Sequence, residues 1–319
     1  MSRPGVVWKT KLQAPITAPV AVGRLVFVAE TDRHNLLAIS AANGKTAWTF
    51  TADGRIDSPP TIAGGMCLFG TRNGYVYCLR ASDGQLVWRF GVSARPRRIF
   101  SYGQIESAWP VHGAVLVEGE KVYFAAGRSS SSDGGIRLFA LNINSGEVLA
   151  KTIASDRRGP GRFQRAVLAD ILSAENGAVW MRSLGLDKNL KPIPNAPHLQ
   201  APRGFLDDTW WHRTYWTYAA EIGGGYSHWP DIGNAAPSGR LLAADSGKII
   251  YGYGRMAYTK GHGHVKADMT KDYKLFAELM PKRTAKKRTI TWTAQLPFVA
   301  RALVLTSNAV LTAGGKSPS

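Results

Sequence analysis

The chain is a succession of short apolar runs separated by polar turns that contain glycine or proline. Residues 25–28, 77–79 and 122–126 are three such runs, each only a few residues long. That length is typical of a β-strand and too short for most helices. The 34 glycines and 17 prolines can supply turns between many strands, so the pattern predicts an all-β chain.

The apolar runs recur at a fixed spacing. Residues 37–48 align with residues 77–88, which places Trp48 and Trp88 40 residues apart, and Trp8 precedes Trp48 by the same interval. Each repeat also carries a glycine turn shortly before its tryptophan. The structural residues of the repeat are Trp8, Gly44, Trp48, Gly84, Trp88 and Gly146.

Each repeat holds four short strands, although a third copy at residues 139–150 has Ala150 where the tryptophan would stand. A single four-stranded sheet cannot bury both of its faces, so such sheets stack side by side around an axis. One tryptophan per repeat can fill the seam between neighbouring sheets. We therefore predict an all-β fold, a β-propeller of four-stranded antiparallel blades.

The repeats extend along the whole sequence, which predicts a single β-propeller domain over residues 1–319 with about six visible blades. Two arrangements of the ring remain open: it is incomplete, or a strand at residues 6–12 pairs with the C-terminal blade and closes it. The predicted blades cover residues 13–48, 53–88, 107–150, 165–195, 236–292 and 298–315 plus 6–12. The predicted insertions are residues 91–106, 187–235 and 258–288.

The charge balance is strongly basic. The 40 Lys and Arg residues outnumber the 22 Asp and Glu residues, for a net charge of +18, which would attract an anionic polymer such as nucleic acid, anionic lipid or acidic polysaccharide. Charge alone does not choose among these. Residues 282–288 form a basic stretch without interleaved aromatic side chains, which favours a solvated face over a nucleic-acid site.

The two cysteines and the hydropathy bear on the environment of the chain. A two-residue hairpin at residues 73–74 would place Cys78 opposite Phe69 and make Cys67 its diagonal neighbour. A disulfide there would be strained, which favours two buried free thiols. The sequence opens without a signal peptide, and no apolar run approaches the roughly 20 residues of a membrane span.

Residues 207–216 combine acidic, basic and aromatic side chains between two predicted blades, where propellers place binding surfaces. The aromatic rings could stack on a flat or sugar ligand while Asp208, His212 and Arg213 make polar contacts. A structural interpretation is favoured, in which the tryptophans wedge between blades and Asp208 pairs with Arg213. The ligand-binding candidates are Trp109, Asp207, Asp208, Trp211, His212, Arg213, Tyr215 and Trp216.

Glu106, Trp109 and His112 form a second candidate site near the entry to a predicted inner strand. A Glu–His pair can serve as general acid and base, but the sequence shows no nucleophile or oxyanion hole to accompany it. His262 and His264 could face one metal ion, although no cysteine or carboxylate lies at a standard ligand spacing. We therefore predict no metal site and keep Glu106 and His112 as catalytic candidates.

The repeats resemble the pyrroloquinoline-quinone-like, or quinoprotein-type, β-propeller family. Its Ala-x-Asp-x-x-x-Gly-x-x-x-Trp type motif stands at residues 38–48 and 78–88, and residues 105–113 and 205–216 are similar to uncharacterised planctomycete-type members. The resemblance implies an exported protein, periplasmic or secreted. Dehydrogenases of the family carry an adjacent Cys-Cys pair and a calcium site beside the quinone, whereas this sequence has neither Cys-Cys nor a Cys-x-x-Cys-His haem motif.

These features predict a non-enzymatic β-propeller scaffold that binds a protein or glycan ligand at the inter-blade loop face and needs no cofactor. Two alternatives remain open. One is a quinone-dependent dehydrogenase that uses PQQ and calcium, and the other is a polysaccharide-active enzyme that uses Glu106 and His112. Nucleic acid is a less favoured partner than protein or glycan.

Overall fold

The structure is a computed structural model, and it describes residues 5–101, 103–155, 169–182, 184–194, 196–200, 216–220, 234–245, 248–257, 271–281 and 287–315. The chain divides into two compact units. The first comprises Met1–Met181 and Leu186–Pro192, and the second comprises Arg182–Gly185 and Ile193–Ser319. The described residues of both units form antiparallel sheets, which confirms the all-β prediction.

Three four-stranded sheets of the first unit follow the sequence repeat, and in each of them consecutive strands are neighbours. Blade 1 consists of β1 (Val20–Val22), β2 (Leu25–Glu30), β3 (Asn35–Ser40) and β4 (Thr46–Thr51), with a short 3-10 helix (Thr31–Arg33) between β2 and β3. Blade 2 consists of β5 (Thr61–Ala63), β6 (Met66–Gly70), β7 (Tyr75–Arg80) and β8 (Leu86–Gly91). Blade 3 consists of β11 (Leu116–Glu118), β12 (Lys121–Ala126), β13 (Ile136–Asn142) and β14 (Val148–Ala154).

Two smaller sheets accompany these blades. The hairpin of β9 (Arg98–Ser101) and β10 (Gln104–Ser107) lies between blades 2 and 3 in the sequence. A three-stranded sheet follows blade 3 and consists of β15 (Ser173–Glu175), β16 (Ala178–Met181) and β17 (Leu184–Asp187).

The described residues of the second unit form three further sheets. The first consists of β18 (His198–Gln200), β19 (Trp216–Ala219) and β20 (Ser238–Gly239). The four-stranded sheet consists of β21 (Leu241–Ala244), β22 (Ile249–Arg255), β23 (Tyr273–Leu279) and β24 (Ile290–Ala294). The last consists of β25 (Val299–Leu305) and β26 (Val310–Gly315).

The middle strands of blade 2 are buried on both faces because a neighbouring blade covers each face. Along β6, Cys67 and Phe69 join the cluster shared with blade 1, while Leu68 between them joins the cluster shared with blade 3. This alternation follows from the two-residue period of a strand, which points successive side chains to opposite faces. The outer strand β8 is less covered, and its Leu86 and Val87 are exposed.

Each tryptophan of the repeat packs on the turn glycine of the next repeat. Trp88 Nε1 donates a hydrogen bond to the carbonyl oxygen of Ile143 at 2.8 Å, and its indole lies against Gly146. Gly146 has a φ of +72°, and an added Cβ would lie 2.8 Å from the indole, so glycine is required on both counts. The equivalent contacts join Trp8 to Gly44 and Trp48 to Gly84.

The turn between β6 and β7 differs from the predicted two-residue hairpin. Cys78 pairs with Leu68, and Cys67 pairs with Leu79, so the predicted pairing of Cys78 with Phe69 is wrong by one residue. The loop is longer because Gly74, at φ +80°, closes a turn that begins at Thr71. Both thiols are nevertheless free and buried, as predicted.

The N-terminal residues 6–12 form no strand in the described structure. Trp8 and Leu12 instead pack on the face of blade 1 formed by Val28 and Leu37. Closure of a ring by these residues stays a prediction. Within the described residues, no helix has the length and apolar character that crossing a membrane would require.

Candidate functional site

The residues singled out in the sequence fall into two groups. Glu106, Trp109 and His112 are described, and so is Trp216, the first residue of β19, which is half-buried. The remaining candidates lie outside the described residues: Asp207, Asp208, Trp211, His212, Arg213, Tyr215, His262 and His264. The site is therefore built from the loop face of the first unit.

Glu106 is a buried carboxylate held by two arginines. It lies in β10, is 1% exposed, and accepts from Arg72 Nη1 at 3.3 Å and from Arg128 Nη2. Arg128 also donates to the carbonyl oxygens of Ser107, at 3.2 Å, and Ala108, at 3.4 Å. A carboxylate that is buried and doubly paired in this way holds its surroundings in place.

The same ion pairs continue into the loops of three blades. Arg72, in the turn between β6 and β7, also donates through Nε to Asp57. Asp57 accepts from Arg55 Nε at 2.7 Å, and Arg55 reaches Asp32 in the loop of blade 1. We call this set the ion-pair chain, and in order its members are Asp32, Arg55, Asp57, Arg72, Glu106 and Arg128.

His112 belongs to the same face, and its acidic neighbour is Asp57: His112 Nδ1 lies 3.9 Å from Asp57 Oδ2. Burial alone would raise the pKa of Asp57. His112, Arg72 and Arg55 together outweigh that effect and hold the pKa well below its usual range. The structure thus pairs Glu106 with arginines and His112 with Asp57, in place of the Glu–His pair considered from the sequence.

The lowered pKa of Asp57 makes an acid-dependent stability prediction. Because the folded pKa lies below the ordinary value of 3.8, the carboxylate stabilises the fold above that pH, and the stabilisation is lost as the pH falls through the folded pKa. Asp57→Asn should therefore cost on the order of 2 kcal/mol at pH 7, and the cost should shrink below pH 3.8. Urea denaturation of both proteins across this pH range measures it, and parallel pH curves would contradict it.

Trp109 is a packed side chain and not an open ring. It is 8% exposed, its Nε1 donates to the carbonyl oxygen of Asp133 at 2.9 Å, and the Arg137 guanidinium lies 3.7 Å from its ring centre. The Asp133 carboxylate accepts in turn from Arg97. With its ring covered by Arg137, Trp109 supports the base of the β9–β10 hairpin.

The β9–β10 hairpin presents an apolar outer face. Phe100 and Ile105 are direct cross-strand partners and are 77% and 64% exposed. On the opposite face Ile99 packs against the core and Glu106 enters the ion-pair chain. An ordinary half-buried hairpin turns polar residues outward, so the exposed apolar pair makes this face a candidate binding surface.

Basic residues flank this apolar pair. Arg95 and Arg97 lie on the segment that leads into β9, Arg98 is the first residue of β9, and all three are exposed. The hairpin is rooted by backbone hydrogen bonds from Ser107 N to Arg72 O, at 3.0 Å, and from Ala108 N to Arg97 O, at 2.8 Å. From the sequence, residues 91–106 were predicted only to be an insertion. The apolar residues on either side of Gly103 are nevertheless a signal typical of a β-hairpin.

The described residues contain no group of three or more His, Cys, Asp or Glu side chains suited to a metal ion. The two cysteines are buried in blade 2, and burial, followed by the nearby Cys78, holds the pKa of Cys67 far above its usual range. A thiol in that state is a poor nucleophile and metal ligand. The described residues of the site offer charge pairing and apolar contact.

A model of PQQ-type repeats, described as "Outer membrane protein assembly factor BamB", matches residues 4–183, more than half of the chain. The chain belongs to this family. The match to the BamB family covers the three regular blades, the β9–β10 hairpin and the whole ion-pair chain. It confirms the quinoprotein-type repeats and the propeller class of fold that the tryptophan and glycine spacing predicted.

Individual BamB proteins are similar to parts of the chain. BamB from Burkholderia pseudomallei (strain K96243) is 28% identical over 169 residues, 50% of this chain and 37% of that protein. BamB from Moraxella catarrhalis aligns with 97% of this chain and 83% of its own, with 12% identity and a TM-score of 0.44. Quinohemoprotein alcohol dehydrogenase ADHIIG from Pseudomonas putida HK5 aligns with 92% of this chain and 44% of its own, with 12% identity and a TM-score of 0.45. The chain spans little more than a third of its Burkholderia relative.

Proposed function

We propose that the chain is a non-enzymatic scaffold that binds a protein partner through the outer face of the β9–β10 hairpin. The observation that carries the proposal is the cross-strand pair of Phe100 and Ile105, 77% and 64% exposed. Leaving two large apolar side chains in water is unfavourable by about 25 cal/mol per Å2, and a partner that covers them recovers this free energy. The buried Glu106 beneath them keeps the hairpin in one orientation.

The composition of this face favours a protein over a glycan. Protein interfaces concentrate binding energy in a few aromatic and arginine side chains surrounded by a polar rim. Phe100 with Arg95, Arg97 and Arg98 has that composition, and the arginines favour a partner with acidic side chains. A glycan would call for exposed rings edged by hydrogen-bonding groups, whereas the described Trp109 ring is covered by Arg137.

The relatives supply the setting of this proposal. They are named outer membrane protein assembly factors, so we infer a partner that takes part in outer membrane protein assembly and a location outside the cytoplasm, periplasmic or secreted. An enzymatic role for Glu106 is disfavoured because two arginines occupy its carboxylate. Each oxygen of this carboxylate is paired with an arginine, and the residue is 1% exposed, which leaves little access for a substrate.

A binding experiment with matched variants tests the proposal. Phe100→Asp and Ile105→Asp should each weaken binding to purified outer membrane protein assembly components more than about tenfold, the loss expected at a hot spot. Val87→Asp, on the outer strand of blade 2 and 43% exposed, is the control and should bind normally. Thermal unfolding should be unchanged in all three. Equal binding by the three variants would refute the hairpin as the binding surface.

A further inference from the structure

The β9–β10 hairpin has two edges, and they differ in what lies against them. At the edge formed by β10, Ser107 N donates to the carbonyl oxygen of Arg72 at 3.0 Å, so the turn between β6 and β7 lies against that strand. No described strand pairs with the other edge, which β9 forms. A strand edge of this kind leaves peptide N–H and C=O groups available to another chain.

The register of the hairpin decides which peptide groups of β9 face outward. Ala108 N donates to the carbonyl oxygen of Arg97 at 2.8 Å, so these two residues are a hydrogen-bonded pair. Because hydrogen-bonded and non-hydrogen-bonded pairs alternate along an antiparallel ladder, the next pair, Arg98 with Ser107, is not hydrogen-bonded. The same holds for Phe100, two residues further along. The N–H and C=O groups of Arg98 and Phe100 therefore point away from β10.

The side chains beside these outward peptide groups are one basic and one apolar. Arg98 and Phe100 are two residues apart, so they project from the same face of β9, and both are exposed. Arg97, on the other face, is paired with Asp133, whereas no described carboxylate is paired with Arg98. A strand added at this edge would place an apolar side chain most favourably beside Phe100 and an acidic one beside Arg98.

We propose that β9 accepts an extended segment of the partner protein as an added antiparallel strand, with an apolar residue opposite Phe100 and an acidic residue, two positions later, opposite Arg98. The inference rests on the proposed function and specifies how the partner binds. Main-chain hydrogen bonds to the outward peptide groups supply affinity, and the two side-chain pairs set the register. The net charge of +18 also favours an acidic segment.

Titration with the blocked peptide Thr-Val-Thr-Glu-Thr, followed by the NMR signals of the backbone amides, tests the added strand. We expect large, saturable shifts at Arg98 and Phe100, whose N–H groups gain acceptors. Shifts at Ile99 and Ser101 should be smaller, because their N–H groups already bond to β10. Methylation of the valine nitrogen removes the donor to the Phe100 carbonyl oxygen and should weaken binding at least about fivefold. Unsaturable shifts, or equal shifts at all four residues, would refute the proposal.

A reversal of charge tests the register. Arg98→Glu should weaken binding of this peptide about fivefold and should instead favour a peptide with lysine in place of glutamate. Arg24→Glu makes the same change of charge at an exposed arginine in the turn before β2, and it should bind both peptides as the wild type does. Thermal unfolding should be the same for both variants and the wild type. Equal losses in the two variants would assign the effect to net charge and overturn the proposed register.

The results distinguish a failure of this inference from a failure of the proposed function. If Phe100→Asp and Ile105→Asp weaken binding of the assembly components but the peptide shifts do not alternate, the partner binds the hairpin face without adding a strand, and only this inference fails. If neither substitution weakens that binding, the proposed function fails, and this inference fails with it. Vesicles of phosphatidylglycerol that shift the signals of Arg98 and Phe100 where the peptide does not would assign the face to a lipid surface and refute the inference.

Discussion

Replacing Trp88 with alanine should lower the free energy of unfolding of the first unit by about 3–5 kcal/mol, the range for removing a buried tryptophan. Trp88 is 9% exposed and packs in the cluster between blades 2 and 3. The substitution leaves a cavity against Gly146 and removes the hydrogen bond to the Ile143 carbonyl oxygen. Guanidinium chloride denaturation of the wild type and variant measures the loss.

Two substitutions separate the sources of this effect. Trp88→Phe keeps an aromatic ring in the seam and should cost less, because most of the packed volume remains. Trp292→Ala is the matched control. Trp292 pairs with Ala277 beside a β-bulge, just as Trp88 pairs with Cys78 beside a β-bulge. Unlike Trp88, however, Trp292 is 40% exposed. Its loss should cost about 1 kcal/mol or less. A cost for Trp292→Ala as large as that for Trp88→Ala would show that burial in the seam is not the cause.

Replacing Arg288 with methionine should destabilise the second unit by about 3–5 kcal/mol, because it leaves a buried carboxylate without its partner. Glu278 and Arg288 are 0% and 4% exposed, with Nη2 and Nε of Arg288 at 2.7 and 3.0 Å from the two carboxylate oxygens. Arg288 also donates to the Arg255 carbonyl oxygen at 3.1 Å and lies 4.8 Å from the Phe276 ring centre. Limited proteolysis and urea denaturation report the change.

The pH dependence of this destabilisation has a definite sign. Burial raises the pKa of Glu278 above its ordinary 4.5, although Arg288 counteracts part of that rise. A carboxyl group whose pKa is higher in the folded state stabilises the fold at pH values below its ordinary pKa. That stabilisation is lost as the pH rises through the folded pKa. Without Arg288 the pKa rises further, so the deficit of Arg288→Met should be smallest below pH 4.5 and grow towards neutrality. The double variant Glu278→Leu with Arg288→Met should recover most of the stability, because it removes the buried carboxylate as well. A double variant as unstable as Arg288→Met alone would show that the unpaired charge is not the cause.

The blades were predictable from the sequence because their signals are local. Gly84 and Gly146 stand at turns that need a positive φ, and Trp48 and Trp88 recur 40 residues apart. The exact pairing register of neighbouring strands was harder to predict. The predicted pairing of the hairpin after β6 is wrong by one residue, because the turn begins at Thr71. Nothing in the local sequence distinguishes that turn from the shorter, two-residue turn.

The candidate site was only partly predictable. Glu106 and His112 were recognised as close in sequence, but their ionic partners Arg72, Arg128 and Asp57 come from other strands and loops. Such pairings depend on which loops share one end of the blades, and this is decided by the alternating direction of the strands.

The sequence alone determined the strands, the repeat and the seam residues of this protein, because an apolar run, a glycine turn and a recurring indole act through neighbours close along the chain. Tertiary structure alone decided which charges pair and which apolar residues stay uncovered. Phe100 and Ile99 are adjacent and both apolar, yet one is exposed and the other packs on the core. That difference arises only when the hairpin is placed against the blades, since a strand turns successive side chains to opposite faces and the rest of the fold selects which face is covered.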